Sequence, residues 1–464
     1  MTTETPDTAT GWRELMRPAL ISRFAFLCLG IWLNAADTLV TVTLTPTIAG
    51  DIGGFQYFGW SVAAFLLGAI VSGVCSGRLS LELGLRPAIA VAGVAYAVGC
   101  ATSALAPGFL VFVIGRLVQG LGAGAISALC YVAINAIFPQ RLWVRVLSAL
   151  AGVWGVATLL GPLIGGLFAQ ADWWRGAFWF FAAQGLLFVA ATFFLIRRSV
   201  PSDEPRPRIP LKQLLVLGAG VSLIAAAGIT GSLALDAALG VGGLASVWLL
   251  LKLDARAGGV LLPKAAGDLT TAAGTGYFVI FALEASTIGV TVYGPAFVQT
   301  LHHASPLVAG YVITAIAAGW TVVALAVSGI QNRDRLMIRL GATGVAAGLI
   351  GAAWALPYGN LLTIVAAMTL IGAGFGGCWA FLSKAIISSL SDAERPLGSS
   401  AVPTAQMIGG SVGAAAASAV AGFLGFANGV DPVTGPAAGL WLFGAFAPVA
   451  LAAWAAAWRL GRLA

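Results

Sequence analysis

Charged residues are scarce in this sequence. Asp, Glu, Lys and Arg together make up 9% of its 464 residues, whereas hydrophobic residues make up 59%. Soluble domains carry about 25% charged residues, and the mean hydropathy of this chain is +0.95. These values exclude an ordinary soluble protein and favour a chain that crosses a membrane many times.

Residue types that carry enzyme chemistry are also rare. The only two histidines, His302 and His303, share one short loop. The five cysteines lack the spacing of a metal site or a disulfide framework, and the sequence has no phosphate-binding loop or zinc-type histidine pair. We therefore predict no metal, no cofactor, no enzymatic activity and no ATP-driven transport. We interpret the two histidines as solvated loop residues, with pH sensing as the alternative.

Apolar runs of about 20 residues, the length that crosses a bilayer, recur along the whole chain. The seventh and eighth runs are the least distinct, because the glycine-rich stretch Leu239 to Leu244 interrupts the eighth. We identify about fourteen runs, with approximate limits 24–49, 57–79, 87–106, 108–137, 144–169, 177–196, 212–232, 235–252, 270–299, 306–329, 336–356, 360–386, 399–426 and 438–458.

The basic residues are distributed unevenly between the two sides of the predicted membrane. If the N-terminus lies in the cytoplasm, all but three of the 24 Lys and Arg fall in cytoplasmic segments. Arg175 falls outside, and Arg116 and Lys384 lie within spans. The positive-inside rule therefore predicts that both termini are cytoplasmic. The same distribution accounts for the net charge of +7 without a nucleic-acid partner.

The first six spans resemble the last six. The fourth and twelfth spans both contain alternating glycines, and Pro46 and Pro295 each end a polar stripe in the first and ninth spans. Alignment on these prolines brings Glu284 within two residues of the position of Asp37. Two similar six-helix bundles, with a site near the midplane between them, are a known transporter plan.

The repeat predicts how the chain is divided. Residues 1–200 would form an N-terminal six-helix bundle, residues 201–262 a linker and two extra helices, and residues 263–464 a C-terminal six-helix bundle. The charged stretch Arg197 to Lys212 contains four prolines, and we interpret it as a cytoplasmic linker.

Asp37 lies in the middle of the first apolar run. A carboxylate at the bilayer centre costs about 3 kcal/mol on insertion scales, and such residues usually mark an ion or substrate path. Asn34, Asp37, Thr38, Thr41 and Thr45 share one helical face, which predicts a stripe that faces a water-filled cavity rather than lipid. The alternative is a buried polar residue that only holds helices together.

Two further charged residues, Arg116 and Glu284, lie deep within spans, where a charge suggests a functional role. Arg116 needs acceptors if it is buried, and Asp37 and Gln119 are candidates. Arg116 would then modulate proton binding by Asp37, with a static ion pair as the alternative. Glu284, in the middle of the ninth span, would carry a second proton, bind a cationic substrate or serve a structural role.

Other residues are candidates for the wall of a substrate cavity. The tryptophans among them could equally be packing residues, and Lys384 could extend to the membrane interface instead. The predicted cavity set is Asn34, Thr38, Thr41, Gln119, Trp154, Tyr277, Phe281, Trp379, Lys384 and Gln406.

Several motifs resemble those of the major facilitator superfamily, over nearly the whole chain. The segment Gly77 to Ser80, with Gly84 and Arg86, resembles the loop motif between the second and third helices. It departs from that motif at Leu81, where an acidic residue is usual, and at Leu85, where a basic one is usual.

Other motifs resemble those of proton-coupled exporters within the superfamily. Arg116 to Gly120 resembles the fourth-helix arginine motif, and Gly161-Pro162 with Gly165 resembles the fifth-helix signature of antiporters. Ala36 to Val40 resembles the first-helix motif of the fourteen-helix drug:proton antiporter branch. The thirteenth span matches the glycine pattern of that branch but has Gln406 where arginine is frequent.

The resemblance implies an all-α membrane protein with the major facilitator fold, built from two six-helix bundles plus two extra helices. It implies a monomeric exporter in the bacterial inner membrane, in contact with membrane lipids. The exporter would exchange lipophilic or amphiphilic substrates for protons by alternating access, with Asp37, Arg116 and Glu284 coupling the two. Export or flipping of an endogenous lipid, siderophore or metabolite is one alternative, and a membrane sensor or scaffold that does not transport is another. The predicted conformational motif comprises Gly77, Arg78, Gly84, Arg86, Gly161, Pro162 and Gly165.

Overall fold

The structure is a computed structural model, which describes residues 14–197, 208–426 and 429–463. Regular structure in these ranges consists of α-helices and three short 3₁₀ turns. From Pro18 onward the helices are α1 Pro18–Ile52, α2 Phe58–Leu83, α3 Leu85–Ala104, α4 Phe109–Ile137, α5 Trp143–Gln170, α6 Trp174–Leu195, α7 Leu211–Ala226, α8 Leu233–Arg256, α9 Ala272–Leu301, α10 Pro306–Val327, α11 Asp334–Tyr358, α12 Leu361–Ser388, α13 Arg395–Phe423, α14 Gly435–Gly444 and α15 Ala447–Leu463.

Thirteen helical segments in the described residues are long and apolar enough to cross a membrane. α14 and α15 together form the last of them, Gly435–Leu460. The remaining apolar helix, α7, has 16 residues and a length of about 24 Å, which is less than the hydrocarbon thickness of about 30 Å. The predicted all-α membrane fold is therefore confirmed, but the seventh apolar run gives a helix shorter than a usual span.

Glycines allow α4 to pack very closely on its neighbours in the N-terminal half. A Cβ at Gly120 would lie 2.1 Å from the carbonyl oxygen of Phe65 on α2, and one at Gly122 would lie 2.2 Å from the backbone nitrogen of Tyr96 on α3. Since real Cβ atoms do not approach other atoms this closely, only glycine fits at these positions. The alternating glycines thus position the helix that carries Arg116.

The C-terminal half uses glycine in the same way on α12. A Cβ at Gly372 would lie 1.8 Å from the carbonyl oxygen of Ile316 on α10, and one at Gly374 would lie 2.5 Å from the backbone nitrogen of Val345 on α11. Each half therefore has one helix whose glycines face two neighbouring helices. This similarity is the structural counterpart of the repeat in the sequence.

The two halves meet at one end of the molecule only. We call the end at which α1 begins and α15 ends the near end, and the opposite end the far end. Towards the far end, Gly59 of α2 lies against the backbone of Ala414 on α13, and Ser411 donates to the carbonyl oxygen of Ala63. Phe58 stacks on Tyr293 of α9, with ring centroids 5.9 Å apart.

The same helices separate towards the near end. Gly73 and Gly77 continue the face of α2 that carries Gly59, yet no described atom lies within 4 Å of the position of their Cβ. The same is true of Gly152 and Gly155 on α5. The described helices therefore enclose a cleft that is closed at the far end and open at the near end.

The second contact between the halves lies on the other side of this cleft. A Cβ at Gly166 of α5 would lie 2.8 Å from Leu307 of α10. The hydroxyl of Tyr311 on α10 donates to the carbonyl oxygen of Leu159 on α5, at 2.9 Å. Both contacts lie in the far half of α5, so this seam also opens towards the near end.

Of the two extra helices, α7 packs across the seam between α2 and α13, and α8 packs on α7. The indole nitrogen of Trp60 on α2 donates to the carbonyl oxygen of Ala225 on α7, at 2.9 Å. Gly228, which follows α7, has a φ of +93°, and its Cβ position lies 2.2 Å from the carbonyl oxygen of Ala419 on α13. The end of α7 and the turn after it therefore contact both halves at the far end.

Asp254 fixes the connection between α8 and α9. Its carboxylate is 2% exposed and accepts hydrogen bonds from the backbone N–H groups of Val260, Leu261 and Leu262. Most of the predicted linker Arg197 to Lys212 lies outside the described residues, as do the first 13 residues of the chain.

Candidate functional site

Asp37 and Arg116 form a sealed ion pair in the N-terminal half. The Arg116 Nη1 atom lies 3.0 Å from Asp37 Oδ2, and the two side chains are 2% and 0% exposed. Asp37 comes from the middle of α1, and Arg116 lies seven residues, or about 10 Å, into α4 from the far end. The predicted partnership is therefore present in the structure.

Three other side chains surround the guanidinium and its partners. Arg116 Nη1 also donates to Gln119 Oε1 at 2.8 Å, and Gln119 Nε2 lies 3.1 Å from Cys100 Sγ on α3. The guanidinium lies over the Phe65 ring of α2, 4.3 Å from its centroid. Sequence reasoning missed Phe65 and Cys100, because nothing in their local pattern indicates that they lie beside a buried charge.

The polar stripe of α1 does not face water along its length. Thr41 is buried and donates to Asp37 Oδ1 at 3.3 Å, whereas Thr38 and Thr45 donate to carbonyl oxygens of their own helix four residues earlier. Asn34 donates to Ser127 of α4 at 3.0 Å. The expectation of a water-facing stripe is corrected for the buried Asp37, Thr41 and Thr45, because helix α1 turns them into the bundle.

Glu284 lies on α9 at the level where the cleft ends. Its Oε2 atom accepts a hydrogen bond from Gln406 Nε2 of α13 at 3.0 Å. The position of a Cβ on Gly410 would lie 3.5 Å from the Cγ atom of Glu284 and 3.0 Å from Leu66 of the other half. Glu284 is half-buried, so this residue, unlike Asp37, keeps part of its surface exposed.

Tyr277 and Phe281, two aromatic members of the predicted cavity set on the same helix as Glu284, are mainly packing residues. Tyr277 is 3% exposed, and its hydroxyl donates to the carbonyl oxygen of Gly398 on α13 at 2.9 Å. The backbone of Phe281 lies against Gly409, whose Cβ position is 2.4 Å from the Phe281 carbonyl oxygen. Both residues thus hold α9 against α13.

The predicted tryptophans differ in their surroundings. Trp154 of α5 is 44% exposed and lies two turns before Gly161, on the part of α5 that has separated from α10. Trp379 of α12 belongs to an aromatic cluster with Trp320, 5.4 Å away, and Trp320 stacks on Phe375 at 5.1 Å. Of the two predicted tryptophans, Trp154 has more surface to offer a ligand.

The structure separates Lys384 from the other predicted cavity residues. Its Nζ atom lies 2.7 Å from Asp334 Oδ2, and its side chain is 63% exposed. The pair joins the near ends of α12 and α11, away from Asp37 and Glu284. We therefore remove Lys384 from the cavity set, since its long side chain extends to the end of the helix, as in the alternative considered above.

No group of three or more His, Cys, Asp or Glu side chains in the described ranges has the arrangement of a metal site. What the geometry offers is two carboxylates at similar depth, one sealed with a cation inside a bundle and one beside the cleft. The family model described as Major Facilitator Superfamily matches residues 27–414.

The chain belongs to the Major Facilitator Superfamily.

Curated relatives from within the superfamily cover most of the chain. A protein of Mycobacterium tuberculosis (strain H37Rv) named as a probable multidrug-efflux transporter is 29% identical over 439 residues, which are 90% of this chain and 91% of the relative. An uncharacterized MFS-type transporter of the same strain is 28% identical over 361 residues, or 75% of this chain and 49% of that one. The chain is therefore a superfamily transporter, consistent with its not being an enzyme.

Solved structures of superfamily transporters have the same fold. A peptide transporter in complex with alafosfalin superposes with a TM-score of 0.69 at 14% identity, covering 95% of both chains. A nucleoside transporter superposes with a TM-score of 0.66 at 13% identity, covering 94% of this chain and 98% of the other. At such low identity these structures support the fold alone.

The superfamily loop motif contains its own charge pair in this chain. Arg78 Nε lies 2.7 Å from Glu82 Oε1, one turn later on α2, so the acidic residue displaced from position 81 still meets the arginine. Gly84 has a φ of +83°, a backbone conformation that favours glycine. Arg86 lies over the Phe193 ring of α6, 4.9 Å from its centroid.

The fifth-helix signature of this superfamily member contacts both halves. Gly161 and Gly165 lie against Leu39 and Thr43 of α1, in the same half. Pro162 instead lies 3.0 Å from the Cβ position of Gly310 on α10. Pro162 therefore packs against the other bundle, whereas Gly161 and Gly165 pack within their own bundle.

Proposed function

We propose that this superfamily member is a proton-coupled antiporter that exports lipophilic or amphiphilic compounds by alternating access. We place it in the fourteen-helix drug:proton antiporter branch and in the inner membrane of a bacterium, with both termini in the cytoplasm. The near end is then the cytoplasmic end, and the cleft described above is open to the cytoplasm.

The observation that carries this proposal is the sealed pair of Asp37 and Arg116. Burying two charges is costly, and an apolar pair of similar size often stabilises a protein at least as well. A pair that serves only to hold helices together therefore has little advantage. A carboxylate that alternately binds and releases a proton does require a nearby cation, because the cation compensates its charge in the ionised state.

The local hydrogen bonds suit such a proton cycle. When Asp37 takes up a proton, Arg116 loses its counter-charge but keeps Gln119 Oε1 as an acceptor at 2.8 Å. When the proton leaves, the ion pair at 3.0 Å forms again. Asp37 and Arg116 both belong to one bundle, so the cycle changes the charge of that bundle without requiring the pair to separate.

Glu284 supports the same proposal from the other half. It lies at the end of the cleft, and its hydrogen-bond partner, Gln406, is neutral. Because position 406 holds glutamine, no arginine there neutralises the Glu284 carboxylate. A cationic substrate in the cleft could therefore use this carboxylate as its counter-charge. Proton and substrate then favour different charge states of the cleft, which is the basis of their exchange.

The two alternatives receive less support. Export or flipping of an endogenous amphiphile would be favoured by Lys384 in the cleft, but that side chain pairs with Asp334 at the near end. A scaffold that does not transport has no need of buried charges at Asp37 and Arg116. The name of the M. tuberculosis relative, a probable multidrug-efflux transporter, also favours export of diverse compounds.

The test is transport by the purified protein in liposomes with a proton gradient and a trapped pH dye. The wild type should exchange a lipophilic cation such as ethidium for protons, and Asp37→Asn should abolish proton movement. Glu284→Gln should weaken exchange of the cation more than exchange of a neutral compound. Asp172→Asn, which alters an exposed acid in a far-end loop, is the matched control. If Asp37→Asn exchanges as fast as the wild type, the proposal is wrong.

A further inference from the structure

A second cavity lies at the near end of the C-terminal half. It has a volume of about 530 Å³ and is bounded by α11, α12, α15 and the loop before α11. Arg333, Arg335 and Lys384 line it. It is separate from the cleft, which lies between α2 and α13 on one side and α5 and α10 on the other.

The charges of this cavity are not balanced. Lys384 is neutralised by Asp334, whereas Arg333 and Arg335 are exposed and form no ion pair in the described part of the chain. The cavity therefore offers two guanidinium groups without a counter-charge among the described residues, which suit a ligand with an anionic group.

The position of the cavity relates it to the membrane surface. α11 begins at Asp334 and is a candidate span, so its first turn lies where the apolar region ends. Leu336 and Leu340, one turn apart on α11, are 44% and 56% exposed. They continue from the cavity along the helix towards the middle of the membrane. Trp458 of α15, with Arg339 4.8 Å from its ring centroid, is an aromatic residue typical of the interface.

We propose that this cavity binds the headgroup of an anionic phospholipid. The phosphate would contact Arg333 and Arg335, since guanidinium groups bind phosphate oxygens well and basic pockets at this level of a membrane bind acidic headgroups. An acyl chain would follow the exposed side chains of Leu336 and Leu340. A free phosphate ion would use the two arginines but not the leucines.

The experiment is native mass spectrometry of the purified full chain with added lipid. Phosphatidylglycerol should be retained in preference to phosphatidylcholine. The double variant Arg333→Gln with Arg335→Gln should bind phosphatidylglycerol about 30-fold more weakly, because each basic residue near a membrane surface contributes about a factor of five. A double variant of Lys212→Gln with Arg256→Gln, two exposed cations at the near ends of α7 and α8, should bind as the wild type does.

Two further measurements distinguish binding of a lipid from binding of a free anion. Leu336→Gln with Leu340→Gln should weaken retention of phosphatidylglycerol, and inorganic phosphate should not displace the lipid. The proposal is overturned if both lipids are retained equally, or if the control pair loses as much binding as the arginine pair. Displacement of phosphatidylglycerol by millimolar phosphate would also overturn it and would assign the cavity to a free anion.

Discussion

Replacing Asp37 and replacing Arg116 should lower the free energy of unfolding by unequal amounts. Asp37→Asn leaves a guanidinium that is 2% exposed without its counter-charge, and an arginine side chain cannot give up its proton. Breaking a buried ion pair from one side costs about 3–5 kcal/mol. We therefore expect Asp37→Asn to lower the free energy of unfolding by an amount in this range.

Arg116→Gln should cost less. The Asp37 carboxyl group can take up a proton and become neutral, and it keeps its hydrogen bond with Thr41. The remaining cost is that of imperfectly paired polar groups, about 1–3 kcal/mol. The double variant places two neutral amides side by side. It should cost less than the two single changes added together, by about 1–3 kcal/mol.

The measurement is unfolding of the purified variants by sodium dodecyl sulfate in mixed micelles, followed by circular dichroism. Asp172→Asn, an exposed acid far from the pair, serves as the control and should unfold as the wild type does. If Arg116→Gln proves at least as costly as Asp37→Asn, the argument from the fixed charge of arginine is refuted. Additive single changes would refute the coupling between the two residues.

Three further predictions follow from other contacts. Gly59→Ala should hold the far end open and stop transport, because its Cβ would lie 1.9 Å from the carbonyl oxygen of Ala414. The rate of alkylation of a cysteine placed in the far-end seam measures how far that end is open. The hydrogen bonds from Arg141 lower the pKa of Glu14. The contact between these two residues should therefore hold at neutral pH and be lost as the pH falls through that lowered pKa. Distances between spin labels on the two segments would report the loss. Asp254→Asn should lower the free energy of unfolding by about 1–3 kcal/mol, because the buried carboxylate accepts three backbone hydrogen bonds, and detergent unfolding measures the loss.

Each of these has a result that would count against it. Unchanged transport in Gly59→Ala would mean that the far-end seam tolerates a wider spacing than the structure indicates. A Glu14 contact that persists after the carboxyl group is protonated would show that charge does not hold it. Wild-type stability in Asp254→Asn would mean that the loop after α8 does not depend on the carboxylate.

The helices were largely predictable from the sequence because their apolar runs are long. Asp37 and Arg116 could also be paired in advance, since a buried charge in each of two neighbouring spans requires a partner. α7 is the exception. Its predicted run extended to residue 232, but the helix ends at Ala226, where the chain turns at Gly228 with a positive φ.

Burial and partners across the bundle were much less predictable. Nothing in the local pattern around Thr41 distinguishes a helix face turned towards water from one turned into a bundle. Tyr277 shares a helical face with Glu284, yet its hydroxyl bonds to Gly398, which lies 121 residues away in the sequence. Lys384 likewise found its partner, Asp334, on a different helix. Such contacts depend on how helices rotate against each other, and a single sequence does not specify that rotation.

The extra helices have a mechanical consequence for any rocking of the two halves. Gly228 and α13 pack so closely that both need a glycine at the contact, because a Cβ at Gly422 would lie 2.2 Å from the carbonyl oxygen of Gly228. The hold on the N-terminal half includes the single hydrogen bond from Trp60, whose loss would cost about 0.5–1.5 kcal/mol. If the far end opens in the proposed transport cycle, α7 and α8 should therefore move with the C-terminal half. The hydrogen bond from Trp60 is then one of the contacts that must break.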